Sequence, residues 1–401
     1  MQRDFQFVIT SRLDSAHGRT GIISTPHGKI ETPAFIPVGT QATLKALTPE
    51  QLAAVGAQAV LANAYHLYLR PSSGIIDRAG GLGTFMNWHK PTFTDSGGFQ
   101  VMSLGVGFKK VIDMDGRADE KPLAKKDKLA WIDNDGVTFK SHLDGSRHRF
   151  TPEISMRIQH ELGADIMFSF DELTTLHHGY EYQVTSLRER THPWAVRSLA
   201  AHQELTRERA DKPYQALFGV IQGANYEDLR RQSSKFLGAM EFDGYGLGGA
   251  LAKENIGEIV SWMADELPEN KPRHMLGISE PDDIFACIEN GADTFDCVSP
   301  ARVGRNGALY LPTGRVNITN RKYREQFTPL MESCDCYTCT NYTVAYLHHL
   351  FKAGEMLAST LATIHNQRFI VRLVDDIRES IKSGTFHRFK NDFLSKYYAK
   401  K

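Results

Sequence analysis

A (β/α)8 barrel is the fold class that this 401-residue sequence predicts. Short apolar or β-branched runs alternate with helical patterns from the N-terminal third to about residue 300. Polar residues gather at the C-terminal ends of those runs, where a barrel builds its sites. Doubly wound α/β is the alternative that the same alternation allows.

Eight strands are expected, at 34–40, 59–65, 91–96, 165–170, 216–222, 244–249, 274–278 and 294–298. Thr48-Pro49-Glu50-Gln51 opens a helix with an N-cap threonine and a proline at the first helical position. Thr151-Pro152-Glu153-Ile154 repeats that start signal. Further helices are read at 226–240, 255–267 and 281–290, the last stopped by Gly291. Two regions break the alternation. Residues 107–135 are rich in lysine and aspartate, lack a clear period and read as a loop. Residues 301–324 hold six basic side chains (Arg302, Arg305, Arg315, Arg321, Lys322, Arg324) and no acidic one. A solvated loop would account for that run, but its place between the last strand and a cysteine cluster favours phosphate contact.

Composition narrows the class. Apolar residues make up 41% and charged residues 23%, enough for a substantial core. Lys plus Arg and Asp plus Glu both number 47, so nucleic-acid binding would have to come from local patches rather than net charge. No apolar run reaches bilayer length, and no signal-peptide core follows Met1-Gln2-Arg3-Asp4. Five cysteines, three of them clustered, do not make a secreted disulfide framework. The expected address is the cytoplasm.

The strand ends carry the chemistry. Asp95 ends the third strand, Asp171 follows the fourth, Gln222 ends the fifth, Gly248-Gly249 the sixth, and Asp296 lies inside the eighth. Aspartate and glycine are also ordinary turn formers, yet in a barrel these five positions share one mouth. Asp95 and Asp296 suit a double displacement at an anomeric carbon, one as nucleophile and the other as general acid/base. Asp171 and Gln222 offer the acceptor and donor groups that read a purine edge. Phe99 reads either as a platform for that base or as a core aromatic. Ser96-Gly97-Gly98 and Gly246-Leu247-Gly248-Gly249 permit close backbone approach but match no dinucleotide or P-loop fingerprint, so no nucleotide cofactor is indicated. In Cys334-Asp335-Cys336-Tyr337-Thr338-Cys339, three thiolates within six residues predict a closed structural zinc site. His348, His349 and His365 all qualify as its fourth ligand by spacing. Cys287 and Cys297 read as core.

Taken in order, Thr94–Gln100, Phe170-Asp171-Glu172, Val220-Ile221-Gln222-Gly223, Gly248-Gly249, Phe295-Asp296-Cys297-Val298, Arg302-Val303-Gly304-Arg305-Asn306-Gly307 and Cys334–Cys339 resemble the tRNA-guanine transglycosylases of the bacterial type, the queuine tRNA-ribosyltransferase family. The resemblance runs from near Phe7 to the C-terminus. It implies a catalytic barrel with N-terminal strands over 1–315, an inserted zinc-binding subdomain over 316–367, and the last barrel helix and tail over 368–401. It implies exchange of the wobble guanine of GUN-anticodon tRNAs for a 7-deazaguanine base, in queuosine modification, by a homodimer without redox cofactor. By the same resemblance Asp296 is the nucleophile and Asp95 the general acid/base. Asp171, Gln222 and the Gly249 backbone hold the base, with Phe99 against its face. Arg302 and Arg305 meet the anticodon loop, and Cys334, Cys336, Cys339 and His365 bind one Zn2+ per subunit. The chain departs from the common bacterial pattern at Phe99, Leu173, 250–254 and Glu280, and in the length of 107–135. Leu173 and 250–254 fall where the substituent of the incoming base sits, which leaves 7-aminomethyl-7-deazaguanine and queuine as alternatives. A non-catalytic RNA-binding subunit, an exchanger acting on DNA, and a sugar hydrolase are the rival functions. Retention of both Asp95 and Asp296 opposes the first, and a base-reading Asp171 and Gln222 oppose the last.

Overall fold

In the computed structural model, residues 4–106, 129–249 and 251–399 are described. Three antiparallel strands come first: β1 (Gln6–Arg12), β2 (Arg19–Thr25) and β3 (Gly28–Thr32). They sit against the N-terminal ends of the later strands. Arg19 forms a buried two-bond pair with Asp293 at 2.7 and 2.9 Å, and His27 meets Asp165 at 2.7 Å.

The strands that follow are β4 (Ala34–Pro37), β5 (Val60–Ala62), β6 (Thr92–Thr94), β7 (Ala130–Asp133), β8 (Gly136–Lys140), β9 (Arg147–Phe150), β10 (Ile166–Phe168), β11 (Ala216–Ile221), β12 (Gly244–Leu247), β13 (Arg273–Met275) and β14 (Thr294–Cys297). Eight of them form one parallel sheet in the order β4-β14-β13-β12-β11-β10-β6-β5. A parallel bridge from Val38 to Leu61, with the Gly39 N–H donating to the Leu61 carbonyl at 2.7 Å, joins the last strand to the first. The sheet therefore closes, which excludes the doubly wound arrangement. Each expected strand is present but shorter.

Side chains of Ile36, Phe93, Phe168, Phe218 and Val220 fill the barrel and are essentially inaccessible. Glycine on β12 makes room for them: a Cβ on Gly246 would lie 2.9 Å from Phe168. Outside, helices cover the sheet, including Pro49–Ala54, Pro152–Leu162, Glu227–Gly238, Ile256–Glu266 and Pro281–Glu289. Thr48 and Gln51 form a capping box, and Thr151 caps the Ile154 N–H, as the start signals require.

The expected loop at 107–135 needs correction at its end. Residues 107–128 lie outside the described residues, but β7 begins at Ala130 and pairs with β8 and β9 in a separate antiparallel sheet. Trp131, Ile132 and Asp133 are all exposed, so β7 lacks the period-two burial by which a strand is recognised. After β14 come a short helix, Ser299–Arg305, and a hairpin of β15 (Ala308–Leu311) and β16 (Gly314–Asn317). A 27-residue helix, Met356–Lys382, then runs unbroken through residue 367. Its first half carries His365, and in its second half Arg378 donates to the Pro33 carbonyl, next to β4, at 3.0 Å. Among the described residues no helix is long and apolar enough to cross a membrane.

Candidate active site

Three aspartates stand at the C-terminal mouth of the barrel, each held differently. Asp95 follows β6. Its Oδ1 accepts the Ala64 N–H at 2.8 Å, and its Oδ2 accepts from Asn63 and from Gln100 Nε2 at 2.9 Å. Burial pushes its pKa above the ordinary carboxylate range despite these donors, and the negative charge of Asp296 adds to the rise. Asp296 lies inside β14. Its Oδ1 accepts the Gly277 N–H at 3.2 Å and meets His274 Nε2 at 3.1 Å.

Asp171 follows β10 and accepts from Gln222 Nε2 at 2.7 Å. Burial raises its pKa to about 6, opposed by Gln222 and aided by the charges of Glu172 and Asp95. Gln222 Oε1 is buried with no hydrogen-bond partner, an acceptor left over for a ligand. Gly249 closes this side of the pocket at φ 103°, and a Cβ there would lie 2.6 Å from Gln222 Oε1. Only glycine satisfies both the backbone and the space. Phe99 occupies the start of the helix Gly98–Val106 and is 40% exposed, which removes the core reading of that ring. Leu173 donates its N–H to Met102 Sδ, while Ala250 lies outside the described residues.

Two buried charges that the sequence does not advertise support this mouth. Arg230, fully buried with burial pulling its pKa down to about 9, donates to the carbonyls of Gly248 and Ala224 at 2.8 Å. It thereby ties together the loops after β11 and β12. Glu172 is 1% exposed and pairs with Arg190, which also lies over the ring of Tyr182 at 5.5 Å. Tyr182 donates its O–H to Glu172 at 2.7 Å.

The basic stretch divides. Arg302 is exposed on the helix Ser299–Arg305, and Arg305 is half-buried, its Nε donating to the Ala301 carbonyl at 3.2 Å. Arg315, on the hairpin, forms an ion pair with Glu280 and lies over the Tyr310 ring at 5.4 Å. Its charge is therefore met by a carboxylate of the fold itself. Cys287 is fully buried, whereas Cys297 is only half-buried and its Sγ accepts the Ser299 N–H.

Beyond the barrel, Cys334, Cys336, Cys339 and His365 bring their ligand atoms within 4.8 Å of one another, all buried. His365 Nδ1 lies 3.9, 3.8 and 3.3 Å from the three sulfurs in turn. Tetrahedral bonds of about 2.3 Å to sulfur and about 2.1 Å to nitrogen separate such ligands by roughly 3.6–3.8 Å. His365 Nε2–H donates to the Tyr310 carbonyl at 2.7 Å, which leaves the Nδ1 lone pair for a metal. His348 instead donates to the Ile318 carbonyl at 2.7 Å, and His349 is exposed. The four residues could hold a metal ion.

A closed parallel barrel with interacting carboxylates at its mouth and a Cys3His cluster after its last strand is the framework of an α/β-barrel enzyme. The family model described as queuine tRNA-ribosyltransferase matches residues 14–399. Curated relatives with that name include one from Caldanaerobacter subterraneus subsp. tengcongensis, 46% identical over 95% of this chain and 94% of its own length. Another, from Herpetosiphon aurantiacus, is 45% identical over 98% and 93%, and one from Halothermothrix orenii is 45% identical over 98% of both. The chain belongs to the queuine tRNA-ribosyltransferase family, and it is a pentosyltransferase.

Proposed function

We propose that this enzyme exchanges the wobble guanine of GUN-anticodon tRNAs for a 7-deazaguanine base through a covalent ribosyl-enzyme. The observation that carries the reading is the meeting of Asp95, Asp171 and Asp296 at one mouth, close enough for their charges to act on one another. A free Asp296 oxygen attacks the ribose anomeric carbon as the bond to guanine breaks, and the electron pair leaves with the base. Asp95, kept protonated to higher pH by burial, gives the departing guanine its proton. Asp95 then takes a proton from the incoming base, whose nitrogen attacks the same carbon and releases the Asp296 carboxylate.

Asp171 and Gln222 hold the base edge and Phe99 its face, with the Gly249 backbone completing the pocket. Arg302 and Arg305 contact the anticodon loop. A structural Zn2+ in the Cys3His cluster, a homodimeric assembly and a cytoplasmic address belong to the same reading. With four protein ligands the zinc has no open position for chemistry.

The test offers labelled guanine, 7-aminomethyl-7-deazaguanine and queuine separately to the enzyme with unmodified GUN-anticodon tRNA, and traps the RNA adduct under denaturing conditions. Incorporation together with an adduct, both lost in Asp296→Ala while tRNA binding persists, supports the proposal. No incorporation of any base by folded, zinc-loaded protein refutes it in favour of a subunit or DNA role. Normal turnover by Asp296→Ala refutes the nucleophile assignment.

A further inference from the structure

His274 lies on β13 with no accessible surface, in the interior of the barrel. The rings of Phe93 and Phe168 flank it at centroid distances of 5.5 and 5.1 Å. An imidazole in such surroundings needs partners for both nitrogens. Nδ1 meets Thr294 Oγ1 at 2.8 Å, and Nε2 meets Asp296 Oδ1 at 3.1 Å. Because an ionised carboxylate only accepts, Nε2 must carry a hydrogen. The Thr294 hydroxyl can donate to Nδ1 or accept from it, so the ring keeps both bonds in either protonation state.

Resting on the reading of Asp296 as nucleophile, we infer that His274 is a positioning residue for the covalent step. Its Nε2–H and the Gly277 N–H, 3.2 Å away, converge on the same oxygen, Oδ1. Two donors on one oxygen oppose rotation of the carboxylate and present Oδ2 to the sugar. When Oδ2 bonds to the anomeric carbon and the electron pair leaves with guanine, Oδ1 becomes the ester carbonyl and goes on accepting both N–H groups. When the incoming base attacks, the breaking bond returns its electron pair to Oδ2. The same donors then stabilise the charge that reappears on the carboxylate. His274 therefore serves formation and breakdown of the intermediate alike. Thr294 acts through it by holding the ring plane.

The experiment uses the full-length, zinc-loaded enzyme and three substitutions. His274→Phe keeps a flat ring and removes the donor, His274→Gln restores an N–H donor, and Thr294→Val removes only the hydroxyl behind the ring. Single-turnover trapping on unmodified tRNA without incoming base reads ester formation, and chasing the trapped complex with base reads its breakdown. In His274→Phe both rates should fall on the order of 10- to 100-fold, the worth of a hydrogen bond to a charged group. Its KM values for tRNA and base should stay within about twofold, because neither ligand touches the imidazole. His274→Gln should regain part of the loss, and Thr294→Val should lose less than His274→Phe. A His274→Phe enzyme that traps and releases at wild-type rates would overturn the inference. So would a glutamine variant no faster than the phenylalanine one. Should His274→Phe fail to retain zinc, full wild-type rates in both His274→Gln and Thr294→Val would overturn it equally. A wild-type enzyme that yields no adduct would instead refute the nucleophile reading itself.

Discussion

Replacing Asp171 by asparagine should stabilise the folded enzyme at neutral pH while removing base exchange. In the native state burial holds the Asp171 carboxyl at a pKa of about 6, against an ordinary value of 3.8. A raised native pKa means that ionisation favours the unfolded chain. Below pH 3.8 the carboxyl is protonated in both states and no penalty exists. The penalty grows as pH rises through about 6, then levels off. About two units at about 1.36 kcal/mol each set a ceiling near 3 kcal/mol. Unfolding entropy of about 2.1 cal/mol/K per residue over a chain of this length converts this to a midpoint shift of roughly 3–4 °C. Asparagine carries no charge, and its amide oxygen can still accept from Gln222 Nε2. Thermal unfolding of both proteins from pH 4 to pH 8, at matched zinc content, reads the difference. The melting advantage of Asp171→Asn should be near zero at the acid end and grow through pH 6. An advantage independent of pH, or a variant less stable than wild type at pH 7.5, would refute the argument that burial sets this group.

Gly249→Ala should lower kcat/KM for the base by at least about tenfold with zinc content unchanged, since a Cβ there would lie 2.6 Å from Gln222 Oε1 on a backbone at φ 103°. Steady-state kinetics at varied base concentration checks it. Arg190→Met strands the buried Glu172 and should cost about 3–5 kcal/mol of stability; the double variant with Glu172→Gln should recover part of that in the same unfolding assay. Cys339→Ser should lower the zinc measured per subunit and the melting temperature together, while Cys287→Ser leaves the zinc unchanged.

The barrel was legible because its strands are buried on both faces. A segment such as Ile166–Phe168, inaccessible at every residue, reads as a short apolar run whatever surrounds it. β7 was not, since its exposed Trp131 and Ile132 break the alternation that would mark one face as inward. Asp95, Asp171, Gln222 and Asp296 could be brought to one mouth from sequence because strand ends share an end of the barrel. The donors around Asp95 and Asp296 could not. Asn63 and His274 gain their meaning from neighbours beside other strands, Gln100 gains its own only once the turn after β6 folds it back on Asp95, and a histidine in an apolar run reads as ordinary core. Arg230 looks like any polar residue on a covering helix until the loops fold over it. The pairing of Arg315 was hidden for a related reason: Glu280 is 35 residues away, beyond what a local count of charges can see.

The long helix Met356–Lys382 also orders events in time. A ribosome has made all three aspartates of the mouth by residue 296, yet the segment beside β4 waits for Arg378, and the cysteines wait for His365. The 86 residues from 297 to 382 take about 4–17 s to add at about 5–20 residues per second. Through that interval the nascent chain has its reactive groups but neither the clasp over its first barrel strand nor a complete set of metal ligands. Completion of the candidate metal-ligand set therefore falls near the end of synthesis, and the step that supplies its last member also brings in the helix that covers the barrel seam.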